Sequence, residues 1–433
     1  MKTIKILTVA VAVMIFCACC SLATASGWLE SGDFVYDVDD EGNAILDRYT
    51  GDGGEITILA EVDGHPVTAV RTPFVNLINA GEPFTLNVAS DHPNLEVIDG
   101  MLINKTTKTV ICCPPCLNVT RIDIPQGIQR IGDEAFYYCE QLTSIMIPES
   151  VTSIGSGAFQ GCFSLADVTF PDNLTSIGDW AFYGCALTNL KIPNGVSSIE
   201  LYTFFECTKL ASIELPTSLR SIRGWAFGKC RSLTSITIPE GVNEIAGNAF
   251  IECKGLASIV VSEKNPYYTV RDGVLFNKDF SHLVRYTPCK TKKTYVVPDS
   301  VTEIERGAFD SCSHLEMIAM PDRMEYIGDE AFSNCNNLSS INIPEGISYI
   351  SYGVFSYCRN LEHIKIPDGV TEIDMFAFEG CNNLKTIRMP SSVTDINSYA
   401  FRGCNKMVVL APAGSYAEQW CKSEMIPFLA YSE

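Results

Sequence analysis

One spacing constrains this chain more than any other property it has. Prolines stand at Pro125, Pro148, Pro171, Pro193, Pro216 and Pro239, and again at Pro298, Pro321, Pro344, Pro367 and Pro390. The step is 23 residues, shortened once to 22 at Pro193. A Phe-x-x-Cys element keeps the same beat eleven times, from Phe136/Cys139 to Phe401/Cys404. A fixed period of a few tens of residues marks a stacked-repeat architecture, because each unit has an apolar face that only its neighbours can bury.

The unit reads physically. Leu142-x-x-Ile145-x-Ile147 ends in the alternation of a half-buried strand. Pro148 removes a backbone donor and ends that strand. Val151 and Ile154 give a second short apolar turn. Ala158, Phe159, Cys162 and Leu165 fall at i, i+1, i+4 and i+7, a spacing that predicts one face of a short helix. Stacked units then place successive strands in parallel, about 4.8 Å apart. Equivalent cysteines are stacked at that same spacing. This is wide for a disulfide, whose Cβ atoms lie about 3.8 Å apart and converge, so the eleven repeat cysteines are expected to form a buried ladder of free thiols.

The pattern Ile147-Pro148-x-x-Val151-x-x-Ile154-Gly155-x-x-Ala158-Phe159-x-x-Cys162-x-x-Leu165 closely resembles the BspA-like leucine-rich repeats of bacterial surface proteins. The resemblance covers nearly the whole chain beyond its first 25 residues. It implies a repeat solenoid: an arc-shaped leucine-rich repeat superhelix with a parallel β-sheet on the concave face and short helices or turns on the convex face. It also implies cell-surface adhesion through protein contacts, without specifying a ligand.

Two islands break the beat. His92-Pro93-x-Leu95-x-Val97-x-Asp99-Gly100-x-Leu102-Ile103-Asn104-Lys105 returns 173 residues later as Asn265-Pro266-x-Tyr268-x-Val270-x-Asp272-Gly273-x-Leu275-Phe276-Asn277-Lys278. Asp-Gly between alternating apolar residues predicts a hairpin in each. Phe34–Val38 and Ala44–Leu46, flanking Asp39 to Asn43, read as a degenerate first unit, and Gly414 to Cys421 as a capping helix. The organisation is then a signal segment (1–25), an N-terminal cap and first repeat (26–85), island 1 (86–124), repeats (125–261), island 2 (262–297), repeats (298–410) and a C-terminal cap (411–433).

Residues 1–25 have the layout of a secretory signal peptide: Lys2 and Lys5, an apolar run from Ile6, then Ala23-Thr24-Ala25. Acylation at Cys19 or Cys20 is the competing reading. No later stretch is apolar and long enough to span a bilayer. At 46% hydrophobic residues the chain has ample material for a core. A net charge of −20 argues against nucleic acid and against anionic membrane surfaces as partners. Asn104, Asn118, Asn173 and Asn337 open glycosylation sequons.

Catalytic and metal motifs are sparse. Cys113-Pro-Pro-Cys116 has redox spacing without a thioredoxin-like setting. A local disulfide from Cys112 or Cys113 to Cys116 and a free set of thiols both remain open. The pair His282/Cys289 could form a nucleophilic couple. Asp37-x-Asp39-x-Glu41-Gly42 begins like a calcium loop, but Arg48 stands where a bidentate Glu is required. The five histidines are scattered, and no metal, cofactor or catalytic set is expected.

The strand alternation instead nominates a ligand-binding face. The residues flanking the first inward Ile of each strand point outward. These include Ser144, Asp167, Asn189 with Lys191, Ser212 with Glu214, Ser235, Asn342, His363 with Lys365, and Arg388. His363, Lys365 and Arg388 read as a local basic cluster on an acidic protein. Asp310 and Glu379 read as exposed on the opposite side. The expected function is an exported, monomeric, non-enzymatic adhesin or recognition protein contacting host or bacterial proteins, secreted or at the cell surface. A hydrolase or redox enzyme built on an island, and a cell-envelope scaffold, are the alternatives.

Overall fold

A computed structural model describes residues 28–71, 74–114 and 119–432. The signal segment, Cys19, Cys20, Cys116 and the Asn118 sequon lie outside the described residues. The chain forms two compact units, one up to Thr106 and one from Thr107.

In the first unit, Phe34–Val38 and Ala44–Tyr49 form the expected antiparallel pair. The Asp39 carboxylate accepts the Glu41 and Asn43 backbone N–H groups and so closes the connecting turn. Those bonds, chiefly the one from Asn43, hold its carboxyl below the usual range. Gly54–Ile58 and Phe84–Val88 pair in parallel, as solenoid strands do. The hairpin Leu95–Ile98/Met101–Asn104 turns on Asp99-Gly100, both with positive φ, as a tight two-residue turn requires.

The second unit is a parallel β-solenoid whose coils each have three sides. The main sheet uses strands such as Ser144–Met146 and Asp167–Thr169, paired in a register that sets Ser144 beside Asp167 and Ile145 beside Val168. Past Pro148, a two-residue strand, Ser153–Ile154, pairs with its counterparts in the adjacent coils. The second apolar turn expected from Val151 and Ile154 is therefore a second parallel ladder.

The third side is a correction. Ala158, Phe159, Cys162 and Leu165 are all buried, as their spacing requires, but no helix carries them. Each coil makes two overlapping turns, seen in the bonds from Tyr137 N to Glu134 O and from Cys139 N to Phe136 O. Alternate N–H groups reach the next coil instead: Phe136 N to Ala158 O at 2.7 Å and Tyr138 N to Gln160 O at 2.8 Å. This aim needs a left-handed residue on either side of the Phe, two before and two after. Gly157 and Gly161 fill these positions in one coil and Glu134 and Tyr138 in another. An α-helix would turn those donors back within the coil; the left-handed steps direct them along the stack.

The core is a column of equivalent side chains. Phe136, Phe159, Phe182, Phe204, Phe227 and Phe250 stack at 5.1–5.7 Å. A second column runs from Tyr286 through Phe309 to Phe401. Trp420, on the capping helix Tyr416–Ser423, closes it at 5.6 Å. The thiol ladder runs beside the rings. Cys162 Sγ donates to Phe136 O at 3.0 Å, and Cys230 Sγ to Phe204 O at 3.1 Å. Burial pushes these thiols up, Cys253 to about 12, so they hold their protons at neutral pH.

Island 2 interrupts both columns. Its hairpin Tyr268–Arg271/Val274–Asn277 turns on Asp272-Gly273. His282–Tyr286 then joins the second ladder beside Glu303–Ile304. Tyr286 stands three positions after Leu283, where Phe159 stands five after Ile154, so a stretch of turn backbone is missing. Side chains replace it. Arg285, fully buried, donates to the carbonyls of Gly307 and Asp310. The Asp310 carboxylate accepts the Glu252 backbone N–H at 2.7 Å and the Asn334 side-chain amide at 3.1 Å. Asp310 is thus buried, and the Glu379 side chain, beside Arg402 at 3.6 Å, is half-buried, which corrects the reading of both as exposed residues.

Candidate functional site

The main sheet presents its outward rows as the alternation requires. Asp167, Asn189, Lys191, Ser212, Glu214, Ser235, Asn342, His363, Lys365 and Arg388 are exposed, and Ser144 is half-buried. The inward Ile145, Leu190, Ile213, Ile236, Ile364 and Ile387 are buried. Parallel register sets residues 23 apart side by side, so Lys191 neighbours Glu214 and Lys365 neighbours Arg388. Two shallow grooves run between the rows. One, of about 310 Å³, is lined by Arg121, Ser144, Met146, Asp167 and Thr169. The other, of about 380 Å³, is lined by Asn189, Lys191, Ser212 and Glu214.

The polar side chains on this face largely engage one another. Ser212 Oγ donates to Asn189 Oδ1 at 2.6 Å, and Lys191 lies 3.9 Å from Glu214. Asn342 brackets Met320, accepting its N–H and donating to its carbonyl. The basic trio comes together, with His363 Nδ1 2.6 Å from Thr386 Oγ1. Its charge is partly answered: Lys365 pairs with Glu345 at 3.0 Å, and the Arg388 guanidinium lies over the Tyr431 ring. These pairs are exposed and contribute little stability, so a partner can displace them.

Sequence reasoning passed over an apolar spot on the same face. Val296, 70% exposed, sits beside Ala319 in register, and Thr294 sits beside exposed Met317. Applying the flanking rule to Thr294–Val296, the strand leaving island 2, would have found it.

The island residues considered for chemistry are not brought together. The Cys289 thiol donates to Lys254 O at 3.2 Å, while His282 Nδ1 faces Glu305 at 2.9 Å and Glu303 at 3.5 Å. His282 and the two glutamates form a compact group that the sequence did not suggest.

Parallel coils of this period, with a main sheet on one side and turns on the other, define a leucine-rich-repeat solenoid. The chain belongs to the BspA-type leucine-rich repeat family: the model of the BspA type leucine rich repeat region, built of six copies, matches residues 111–186, 175–285 and 284–408. A leucine rich cell surface protein from Faecalibacterium prausnitzii is 31% identical over 92% of this chain and 97% of its own, with a TM-score of 0.65. The pneumococcal vaccine antigen PcpA shares the fold at 17% identity, over 95% of this chain and 100% of its own, with a TM-score of 0.53. No curated protein matches the chain. No helix among the described residues is long and apolar enough to cross a membrane.

Proposed function

We propose that this chain is exported and acts at the cell surface as a non-enzymatic recognition protein, an adhesin whose main sheet face holds a protein partner. The observation that carries the reading is the face itself: aligned outward rows over a rigid ladder, with shallow grooves between them. Small hydroxyl side chains at Ser212, Ser235 and Ser340 let a partner approach the sheet closely. Lys191, Glu214, Lys365 and Arg388 offer exchangeable charge. A surface protein of a host or of a neighbouring bacterium, or a matrix protein, is the partner class. The relative described as a cell surface protein supports the location.

The test is capture of surface and matrix proteins by the immobilised chain, with competition on intact cells. Excess soluble chain should block cell binding. Lys365→Glu combined with Arg388→Glu should weaken binding to the captured protein about tenfold, the scale of one or two lost charge contacts, and leave the melting temperature unchanged. Arg402→Glu on the turn side should leave the affinity for the captured protein unchanged. Cell binding that resists competition sinks the adhesin reading. Unchanged affinity in the double variant moves the contact away from the basic cluster.

A further inference from the structure

We propose that His282, Glu303 and Glu305 form a divalent-cation site that clamps island 2 to the repeat following it. The backbone dictates the convergence. The strand His282–Tyr286 runs parallel to Glu303–Ile304, with His282 opposite Glu303. Glu303 N donates to Ser281 O at 3.1 Å and Glu305 N to Leu283 O at 3.0 Å, so the two glutamates bracket the histidine. Ile304 between them is buried, which turns both carboxylates to the outer side with the imidazole. The His282 backbone N–H donates to Asn277 Oδ1 at 3.0 Å, which holds the start of its strand.

One ligand atom from each residue lies within 4.8 Å of the other two. Ligands about 2.0–2.2 Å from one ion can be up to about 4.4 Å apart, so only a small side-chain adjustment brings all three onto a cation. The charges favour one as well. A single imidazole nitrogen faces two carboxylates and donates at most one hydrogen bond. Among the described residues, neither glutamate has a Lys or Arg within ion-pair distance, since Arg306 pairs with Asp329 and Glu330. The group is half-buried, so an ion can enter from solvent. One nitrogen and two oxygens suit Zn²⁺, Co²⁺ or Mn²⁺ better than Ca²⁺ or Mg²⁺, which prefer an all-oxygen shell. Three protein ligands leave a position for water.

Island 1 is an internal control. Thr109, at the place of His282, lies beside Arg130, at the place of Glu303, and Gly132 stands where Glu305 does.

The experiment titrates the metal-free, fully reduced chain with Co²⁺ and then Zn²⁺, followed by absorption spectroscopy and calorimetry. One equivalent should bind, with cobalt d–d bands and no thiolate charge-transfer band, and Zn²⁺ should displace it. His282→Gln and Glu305→Gln should each weaken binding by more than about tenfold, while His363→Gln should not. Circular dichroism checks that each variant is folded. Independently of any variant, a paramagnetically shifted histidine ring resonance should appear in the cobalt-loaded wild type. No binding, a thiolate band, or unchanged affinity in both folded variants overturns the proposal.

Discussion

The two islands share a text and part company at the turn that follows. In each, a lysine holds the first residue of the motif: Lys105 Nζ donates to His92 O at 2.9 Å, and Lys278 Nζ to Asn265 O at 3.0 Å. In each, that first side chain accepts two backbone N–H groups. His92 Nδ1 takes those of Asn94 and Leu95, and Asn265 Oδ1 those of Tyr267 and Tyr268. Beyond the hairpins the chemistry diverges. Cys112 and Tyr137 of the first island's surroundings stand where Arg285 and Asp310 stand in the second. No Phe-x-x-Cys repeat precedes island 1 in the sequence, whereas island 2 splits the array and must satisfy the turn backbone of a coil on each side. A buried donor and a buried acceptor do this because unpaired buried backbone groups are costly. The same hairpin text is thus followed by a buried Arg–Asp splice where it divides the array, and by Cys112 and Tyr137 where it does not.

The largest expected effect tests that splice. Arg285→Leu or Asp310→Leu should each cost about 2–3 kcal/mol, because buried backbone groups lose a charged hydrogen-bond partner. Chemical denaturation of the chain measures it. Arg285→Cys with Asp310→Tyr, which installs the island 1 residues, should remain destabilised, since Glu252 N still lacks an acceptor. A stable double variant would mean that the two settings are equivalent and the comparison is empty. Cys112→Ala at island 1 should cost only about 1 kcal/mol.

A smaller effect of opposite sign concerns Tyr286, which heads the second ring column. Its hydroxyl is buried without a hydrogen-bond partner. Tyr286→Phe keeps the ring and removes that group, so it should stabilise the chain by about 1 kcal/mol. A loss of stability on thermal unfolding would show that the hydroxyl has a partner after all.

The smallest effect is a pH dependence unique to island 1. His92 accepts through Nδ1 and is buried, and desolvation, aided by Lys105, lowers its pKa. The unfolded chain then binds the proton more readily than the folded one. Its contribution to stability is complete above the unfolded value of about 6.5 and is lost as pH falls toward and through the lowered folded value. His92→Asn should remove this component from the pH–stability profile and Asn265→His should add one. Identical profiles for wild type and His92→Asn would remove the histidine from the account.

Much of this was legible in the sequence. The 23-residue beat contains the parallel stacking, the inward Ile and Phe rows and the thiol ladder, because a side chain's direction within one coil follows from local alternation. The Asp-Gly hairpins and the capping helix carry their own turn and cap signatures. The face nominated for binding emerged from the same alternation. The third side was misread because burial at i, i+1, i+4 and i+7 fits a helix and a pair of turns equally well. The glycines at Gly157, Gly161, Gly184 and Gly380 were the available clue, since left-handed positions favour glycine.

What the sequence determined by itself is therefore everything that repeats: period, strand direction, core columns and the outward rows. Only the tertiary structure decided what happens where repetition stops. Glu252 meets Asp310 across 58 positions, Arg285 reaches two carbonyls of the next coil, and His282 comes to lie between Glu303 and Glu305. Periodicity predicts a neighbour only when every coil has the same length. At island 2 the coil is short by part of a turn, and which groups then lie opposite each other is fixed by the hydrogen bonds that the neighbouring backbones still have to make.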